Sequence, residues 1–460
     1  MSLPEGPPLR HCAPYWHVYE TTAKQRWYGR ELLEMLVTEF RDRTKEYYHW
    51  AIHTGLCRVN HEKTHPRHVF KNGDVMSNRV HRHEPPVTTE PVKILFRDEE
   101  KGHLVVRKPG SIPVHAAGRY GKHTLIHMIK HDLNVPVIYT TNRLDRLTSG
   151  LMVCSTTKEA AQKIGDQFTR GLVRKAYVCR VQGCFPEEEI DCREPILAID
   201  RQAGVNLVHP LGKECQTIFK RLSYDPETDT SVVYCRPITG RTHQIRVHAQ
   251  YLGYPIPNDP LYAHPIWAQY PSTSFKHLEI DPDRWKKEAG GMTGNQAVDA
   301  VIAAIKLERD SKEDWARWRD EMLFSHLMRQ EGVEVVEVPG ANGQSVMADP
   351  RYLLAGCPAG VGAGGPAAAA AAGLLGQKTK SEEAGDQMGE EGAASTVAGK
   401  TAFDSGVGSF CEECRIPLHP DPKASELYIY LHALKYETDE WSYEDEMPWW
   451  AQEDWRSRAP

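Results

Sequence analysis

Residues 142–153 read NRLDRLTSGLMV, and this stretch decides the fold. Asp145 lies between Arg143 and Arg146, a Thr-Ser-Gly turn follows, and an apolar run begins at Leu151. A charged loop that leads into a buried strand is typical of an active site, because the strand fixes the loop in space. By itself, an Arg-x-Asp-Arg segment is more often a solvated surface turn, since runs of charge usually face water.

Three further segments make the surface-turn interpretation less favourable. Residues 174–177 read RKAY, residues 240–248 read GRTHQIRVH, and residues 253–259 read GYPIPND. Together with residues 142–153, these segments resemble the RluA-type family of RNA pseudouridine synthases, in its eukaryotic branch. The resemblance covers about residues 15–262 and the last strand near 426–436. Several long motifs in family order are far more specific than one short pattern.

Length and charge fit such a protein. At 460 residues the chain can hold two or three domains, and at least one can bury a sizeable core. The net charge of −6 is uneven along the chain, since residues 1–262 carry about +8 and the remainder about −14. A basic body fits a nucleic-acid partner. The same imbalance could also reflect solubility alone.

The cysteines and the N-terminus indicate a compartment. The eleven cysteines form no even framework, which indicates a reducing environment and not a secreted disulfide scaffold. Residues 1–16 contain no apolar signal segment, and no run of about eighteen apolar residues occurs in the chain. We therefore expect a cytoplasmic or nuclear protein without a membrane partner.

The N-terminal region is predicted to be a small RNA-binding module. After a leader at residues 1–14, apolar residues recur at helical spacing in 30–48, and a second helical piece ends at Gly55. Two helices followed by a hairpin resemble the S-four-like RNA-binding module, over residues 15–80. Its signatures match residues 55–60 and 72–74. The cations expected to meet phosphate are Arg41, Arg43, Lys45, Arg58, Arg67, Lys71 and Arg79. A purely structural helical cap is the alternative.

A linker and a catalytic domain are expected to follow. Residues 81–91 contain paired prolines, which are unfavourable in helices and in central strands, and are read as a linker. Residues 92–262 combine short β-type runs with helical spacing at 158–170 and 243–252, which predicts an α+β domain. The resemblance implies a mixed, largely antiparallel bent sheet with the cleft across it.

The last third of the chain changes in composition. Residues 263–425 are interpreted as an insertion in the catalytic domain, with a charged helix at 297–322 and a Gly/Ala-rich stretch at 355–400. That stretch is predicted to be disordered, because it cannot bury enough apolar surface to offset chain entropy. Residues 426–440 alternate in polarity and resemble the closing Leu-His-Ala strand of the family. Residues 441–460 are expected to be an acidic, aromatic tail.

The resemblance implies a cofactor-free isomerisation. A pseudouridine synthase breaks the bond between ribose and uracil nitrogen, turns the base and rejoins it through carbon, with no net redox change. Asp145 is the expected carboxylate, either attacking the anomeric carbon or taking a proton from the neighbouring ribose carbon. Burial would push it toward neutrality, and Arg246 is the cation expected to keep it charged. Tyr177 is expected to stack on uracil, and its hydroxyl could move the proton from carbon 5.

Further residues complete the expected pocket. Ile245 would form an apolar wall, and Arg143 could fill the space left by the everted nucleotide, since flipping a base costs a few kcal/mol. His115 is a further pocket candidate. Lys108, Arg146 and Arg241 are candidates for contacts to the RNA backbone. Asn142 stands where many relatives have His, and we expect little consequence from this difference.

Other functions are less well supported. Cys411, Cys414 and His419 have the start of a zinc-knuckle spacing, but position 424 is Ala where the fourth ligand should be. No metal is expected, with a structural zinc that uses another ligand such as Cys357 as the alternative, and the isomerisation itself needs no cofactor. The expected partner is RNA, with tRNA favoured and rRNA or mRNA as further candidates, and the protein is expected to be monomeric. The alternative is a catalytically idle RNA-binding or RNA-folding protein. The joint presence of Asp145, Tyr177 and Arg246 argues against it.

Overall fold

The computed structural model describes residues 9–40, 45–200, 204–269, 276–277, 279, 295–305, 336–339, 345–348, 421–453 and 455. The chain forms two compact units. The large unit comprises Met1–Ala13, Glu84–Ser311 and Asp421–Pro460, and the small unit comprises Pro14–His83 and Lys312–Pro420. Most of the predicted insertion, including residues 306–322 and 355–400, lies outside the described residues.

The helices are short. They are α1 (Leu32–Glu39), α2 (Lys45–Thr54), α3 (Leu125–His131), α4 (Lys158–Thr169), α5 (Gln244–Tyr251) and α6 (Ile266–Gln269), and residues 296–305 are also helical. Thr124 and Thr157 cap α3 and α4, because each side chain accepts a hydrogen bond from a backbone N–H in the first turn. The helices expected near 158–170 and 243–252 are therefore confirmed.

The strands are more numerous. In the first half they are β1 (Leu9–Arg10), β2 (Tyr15–Thr22), β3 (Cys57–Val59), β4 (Glu62–Lys63), β5 (Val75–Arg82), β6 (Val87–Thr88), β7 (Lys93–Asp98), β8 (His103–Lys108), β9 (Tyr139–Thr140), β10 (Ser149–Ser155) and β11 (Arg174–Gln182). In the second half they are β12 (Ile190–Cys192), β13 (Ile196–Asp200), β14 (Val205–Val208), β15 (Thr217–Asp225), β16 (Thr230–Pro237), β17 (Val336–Pro339), β18 (Ser345–Ala348), β19 (Leu431–Glu437) and β20 (Ser442–Glu444).

The small unit packs two helices on a four-stranded antiparallel sheet in the order β2-β5-β3-β4. Trp27, Leu32, Tyr48 and Phe70 are completely or almost completely buried in its core. The sequence predicted the helices and the hairpin but not β2, which pairs with β5 along its full length. No residue of β2 is fully buried, so the strand lacks the alternating apolar pattern that would have indicated it. The S-four-like assignment stays a prediction.

The large unit is built on a ten-stranded sheet. Its order is β12-β15-β16-β11-β19-β10-β8-β7, with β9 added to β10 and β20 added to β19. All strand pairs are antiparallel except β10 with β19. The mixed, largely antiparallel α+β prediction is therefore confirmed. The closing strand β19 lies at the centre of the sheet, between β11 and β10.

Gly150 permits the parallel contact between β10 and β19. It has φ +115°, and a Cβ atom there would lie 2.4 Å from the carbonyl oxygen of Ala433. Only glycine tolerates both this backbone conformation and this close approach. Gly150, the last residue of the turn at 148–150, therefore allows the closing strand β19 to pair closely with β10.

The predicted leader and linker need correction. Leu9–Arg10 pairs with Val87–Thr88, and Val87 is completely buried in the core of the large unit. The carboxylate of Glu84 accepts hydrogen bonds from the backbone N–H groups of Lys122 and His123. The prolines at 85 and 86 do interrupt regular structure, but their neighbours are anchored on both sides. Residues 9–13 and 84–91 therefore belong to the large unit, while residues 81–83 belong to the small unit, where β5 ends at Arg82.

The predicted C-terminal tail also needs correction. Ser442–Glu444 pairs with β19, and the rings of Trp441 and Trp450 are buried. Asp445 is buried and accepts hydrogen bonds from Arg107 and His432. The acidic and aromatic composition indicated a tail, but here the rings supply apolar burial and the carboxylate of Asp445 pairs with the Arg107 guanidinium.

Candidate active site

The loop before β10 is anchored on both sides of Asp145. Leu144 packs in one apolar cluster of the large unit, and Leu147 packs in another. The carbonyl of Asp145 accepts the N–H of Thr148, and the carbonyl of Leu147 accepts the N–H of Ile429. Buried leucines on either side leave the carboxylate of Asp145, which is 27% exposed, directed into a cleft.

The cleft has a volume of about 490 Å³. Its lining comes from the Asp145 loop, from β11 and β19, and from the N-terminal end of α5. The lining residues of interest are Asn142, Arg143, Asp145, Tyr177, Arg241, His243, Ile245, Arg246 and Tyr436. Segments separated by more than two hundred residues in the chain therefore meet around one carboxylate.

Arg246 bridges two carboxylates. Its Nη1 donates to Oδ2 of Asp145 at 3.2 Å, while its Nε and Nη2 donate to Asp259 at 2.6 and 2.8 Å. Asp259 is buried and also accepts the backbone N–H groups of Leu261 and Tyr262. Two parallel bonds hold the guanidinium plane firmly. The remaining Nη1 group of Arg246 therefore faces Asp145. Asp259 was not predicted from the sequence as a site residue.

Asp145 remains charged despite its burial. Desolvation by itself would raise the pKa of this carboxyl group, but the positive charges of His243, Arg246 and Arg143 outweigh it and lower the pKa below its usual value. His243 contributes only at low pH, because burial and the charge of Arg246 lower the pKa of this imidazole to about 4. At neutral pH the two arginines are the cations that keep Asp145 ionised.

His243 was missed as a site residue. It lies at the N-terminal boundary of α5 with φ +58°, and its Nε2 is 3.6 Å from Oδ2 of Asp145. Its Nδ1 is 2.9 Å from the hydroxyl of Tyr262, which orients the ring. The signal available in the sequence was its central place in the segment 240–248. The left-handed backbone, which turns the ring into the cleft, could not be read from that segment.

Tyr177 lies on β11 and lines the cleft with Asp145. Its hydroxyl is 2.7 Å from that of Tyr436, and Nδ2 of Asn142 donates to Tyr436 at 3.3 Å. Burial raises the pKa of Tyr177 to about 12, although the hydrogen bond to Tyr436 opposes the rise. Asn142 therefore has a defined partner in the cleft, and the expectation that Asn at this position has little consequence stays a prediction.

The other pocket residues differ in their exposure. Ile245 is buried in the cleft wall, as expected of an apolar surface. Arg143 and Arg241 are exposed and line the cleft, and Nε of Arg241 donates to the carbonyl of Glu214. Arg146 is exposed but lies outside the cleft lining, with its guanidinium 5.7 Å from the centre of the Tyr120 ring.

Two predictions are corrected by the structure. Lys108 was expected to contact RNA, yet it is completely buried and its Nζ donates to the carbonyls of Pro109, Ile112 and Arg146. Lys108 therefore stabilises the Asp145 loop from inside the protein, because its amine donates hydrogen bonds to backbone carbonyls that water cannot reach. His115 was expected in the pocket, but it lines a neighbouring depression of about 520 Å³, where it hydrogen-bonds Thr140.

Comparisons with known proteins agree with this geometry. The RNA pseudouridylate synthase family matches residues 102–251. The human pseudouridylate synthase RPUSD2 is 34% identical over 455 residues, which cover 97% of this chain and 74% of the relative. The chain belongs to the RNA pseudouridylate synthase family. It is accordingly a pseudouridine synthase, an isomerase that acts on RNA.

Two further relatives and one solved structure match smaller parts of this chain. The mitochondrial tRNA pseudouridine(32) synthase of Saccharomyces cerevisiae is 44% identical over 265 residues, which cover 56% of each chain. The tRNA pseudouridine(31) synthase of the same yeast is 34% identical over 344 residues, or 65% of this chain and 81% of the relative. The solved human RNA pseudouridylate synthase domain containing 1 is 26% identical, with a TM-score of 0.34, over 38% of this chain and 71% of that one.

The small unit of this pseudouridine synthase presents cations to solvent. Lys45, Arg58, Arg67, Lys71 and Arg79 are exposed. Arg79 lies 4.6 Å from the centre of the Trp16 ring, and Nε of Arg58 donates to the carbonyl of Gly55. Arg41 and Arg43 lie outside the described residues. Whether these cations contact RNA stays a prediction.

The described residues of the synthase contain neither a candidate metal cluster nor a membrane-spanning helix. Over the described ranges, no group of three or more His, Cys, Asp and Glu side chains could hold a metal ion. Cys411 and Cys414 lie outside those ranges. Within them, no helix combines the length and the apolar character needed to span a bilayer.

Proposed function

We propose that this enzyme converts specific uridines of tRNA to pseudouridine, with Asp145 acting at the ribose of an everted nucleotide. The observation that supports this most directly is the hydrogen bond from Arg246 to Asp145, inside a cleft that also holds Tyr177. A carboxylate acts as a nucleophile or as a base only in its charged form. The lowered pKa of Asp145 meets that requirement.

The reaction begins at the sugar. Either Asp145 attacks the anomeric carbon as the bond to uracil nitrogen 1 breaks, or it takes a proton from the neighbouring ribose carbon as the same bond breaks. The departing base carries the bonding electrons in both routes. The base therefore leaves with a negative charge. The positive charges of Arg143 and Arg246, which both line the cleft, stabilise it while the base stays bound.

The base then turns and rejoins through carbon 5. The bond between carbon 5 and the anomeric carbon forms as Asp145 is released, or as it returns its proton in the second route. Carbon 5 then loses a proton while nitrogen 1 gains one, so no oxidant, reductant or co-reactant is consumed. Tyr177 stacks on the base and its hydroxyl relays this proton. Ile245 closes the apolar side of the pocket.

Recognition of tRNA is part of the proposal. Two relatives carry tRNA pseudouridine synthase in their names, and the small unit exposes a set of cations suited to phosphate. Arg143 is exposed at the cleft and would occupy the place vacated by the flipped base. A monomeric state and a location in the cytosol or nucleus stay predictions, while one of the two relatives is named as mitochondrial.

The test compares two carboxylates that each pair with an arginine. Asp145→Asn should abolish tritium release from tRNA labelled at uracil carbon 5, and mapping in cells carrying only this variant should show loss of specific tRNA pseudouridines. Asp191→Asn is the control, because Asp191 pairs with Arg193 outside the cleft. Wild-type rates for Asp145→Asn would refute the role of Asp145. Loss of pseudouridine only from rRNA or mRNA would refute the tRNA assignment.

A further inference from the structure

Tyr436 is a buried tyrosine in contact with the proposed proton-relay residue. It lies on β19, is completely buried, and forms part of the cleft wall. Its hydroxyl oxygen is 2.7 Å from that of Tyr177, and the two ring centres are 6.1 Å apart at an interplanar angle of 53°. A buried phenol hydroxyl normally requires a hydrogen-bond partner. Each of these two hydroxyls therefore fixes the orientation of the other.

A third residue sets the direction of this hydrogen bond. Nδ2 of Asn142 donates to the hydroxyl oxygen of Tyr436 at 3.3 Å. An amide N–H only donates, so Tyr436 accepts from Asn142. Either hydroxyl could donate in the bond between the two tyrosines, and we assign the donor to Tyr436, whose O–H is free for it. The bonds run from Asn142 to Tyr436 to Tyr177, and Asn142 belongs to the same loop as Asp145.

We infer that Tyr436 is a positioning residue for the second half of the reaction, acting through Tyr177. This inference rests on the proposed role of Tyr177 in moving the proton from carbon 5. The Tyr177 oxygen takes the proton from carbon 5 of uracil while the hydroxyl proton of Tyr177 passes to the base. The base therefore ends with a hydrogen on nitrogen 1. The number of protons is unchanged. A hydrogen bond donated by Tyr436 stabilises the negative charge that develops on the Tyr177 oxygen during this exchange.

The bond also counters the effect of burial on Tyr177. Desolvation disfavours a charged phenol oxygen, and a donor at 2.7 Å reverses part of that penalty. The donor comes from β19, which follows the region 263–425 in the chain and is central in the sheet. The pairing of β19 with β11 therefore supplies Tyr177 with this donor.

A double-mutant cycle tests the inference with the full-length protein. Tyr436→Phe should lower kcat for tritium release by about three- to tenfold, the effect of one hydrogen bond, and leave KM for bulk tRNA unchanged. If Tyr436 acts through Tyr177, the double variant Tyr177→Phe, Tyr436→Phe should be no slower than Tyr177→Phe alone. Tyr443→Phe is the control, because its hydroxyl contacts His103 and it pairs with Tyr436 from β20 without lining the cleft.

A second variant tests the direction of the hydrogen bonds. Asn142→Asp replaces the donating amide by an anion that only accepts, so the proton of Tyr436 should turn away from Tyr177. Its kcat should then fall as far as that of Tyr436→Phe, with KM unchanged. A wild-type kcat for Asn142→Asp would overturn the assigned direction, because Tyr177 would not depend on it.

The outcomes also separate this inference from the proposed function. A slow Tyr177→Phe together with a fast Tyr436→Phe, or losses that multiply in the double variant, would overturn the role of Tyr436 and leave that of Tyr177 intact. A Tyr177→Phe variant as fast as the wild type would remove the proposed role of Tyr177 itself. Thermal unfolding of every variant shows whether any loss of rate reflects loss of folded protein.

Discussion

Replacing Arg246 by lysine separates the two tasks of this residue. The guanidinium makes two bonds to Asp259 and one to Asp145. A lysine amine has a single nitrogen and cannot reproduce that planar fork. Asp259 is 2% exposed, and a buried carboxylate left without a cation costs several kcal/mol. We therefore expect the lysine amine to stay with Asp259 and to leave Asp145.

The magnitude follows from the bond that is lost. A hydrogen bond to a charged group contributes about 1.5–3 kcal/mol, and the 3.2 Å distance to Asp145 favours the lower value. About 1.4 kcal/mol corresponds to one pKa unit and to tenfold in rate. With the Arg246 cation withdrawn, burial should raise the pKa of Asp145. The pH below which kcat declines should therefore be higher than in the wild type. The maximal kcat at higher pH should fall about tenfold, because the Asp145 carboxylate is less firmly held.

The assay is tritium release from uracil carbon 5 of bulk tRNA across the acidic pH range. Arg236→Lys is the control, because its partner Glu189 lies in an exposed pair. Thermal unfolding should show only a modest loss for Arg246→Lys, since Asp259 keeps a cation. An acid limb that stays at the wild-type pH would show that Arg246 does not keep Asp145 charged, and the electrostatic account of the site would be wrong.

Three further variants test other parts of the structure. Lys108→Met should lower the free energy of unfolding by about 2–4 kcal/mol, because three backbone carbonyls lose their donor, while the salt dependence of RNA affinity stays unchanged; a smaller salt slope with normal stability would restore the RNA-contact prediction. Arg58→Ser with Lys71→Ser should reduce the slope of log affinity against log salt by about 1–2, and an unchanged slope would mean that these cations do not meet phosphate. Gly150→Ala should destabilise the protein by more than about 2 kcal/mol, because its Cβ would clash with Ala433, and a wild-type melting temperature would contradict the tight contact.

The sequence by itself determined the local features. The spacing of apolar residues predicted α4 and the buried strand that follows Asp145, because helical and strand periodicity are written in adjacent residues. The motifs around Asp145, Tyr177 and Arg246 indicate the reaction class without any knowledge of the tertiary structure. Each of these signals lies within a few consecutive residues.

Tertiary structure decided which distant residues become neighbours. Lys108 sits in a segment that resembles an exposed basic loop, yet the fold buries it beneath Asp145. Tyr436 acquires its role only because β19 brings it to Tyr177, and Asp259 acquires its role because the segment after α5 returns to Arg246. The contact between Tyr177 and Tyr436 depends on how two strands more than two hundred residues apart align. That alignment is fixed by the packing of the whole sheet, and no local pattern of side chains records it.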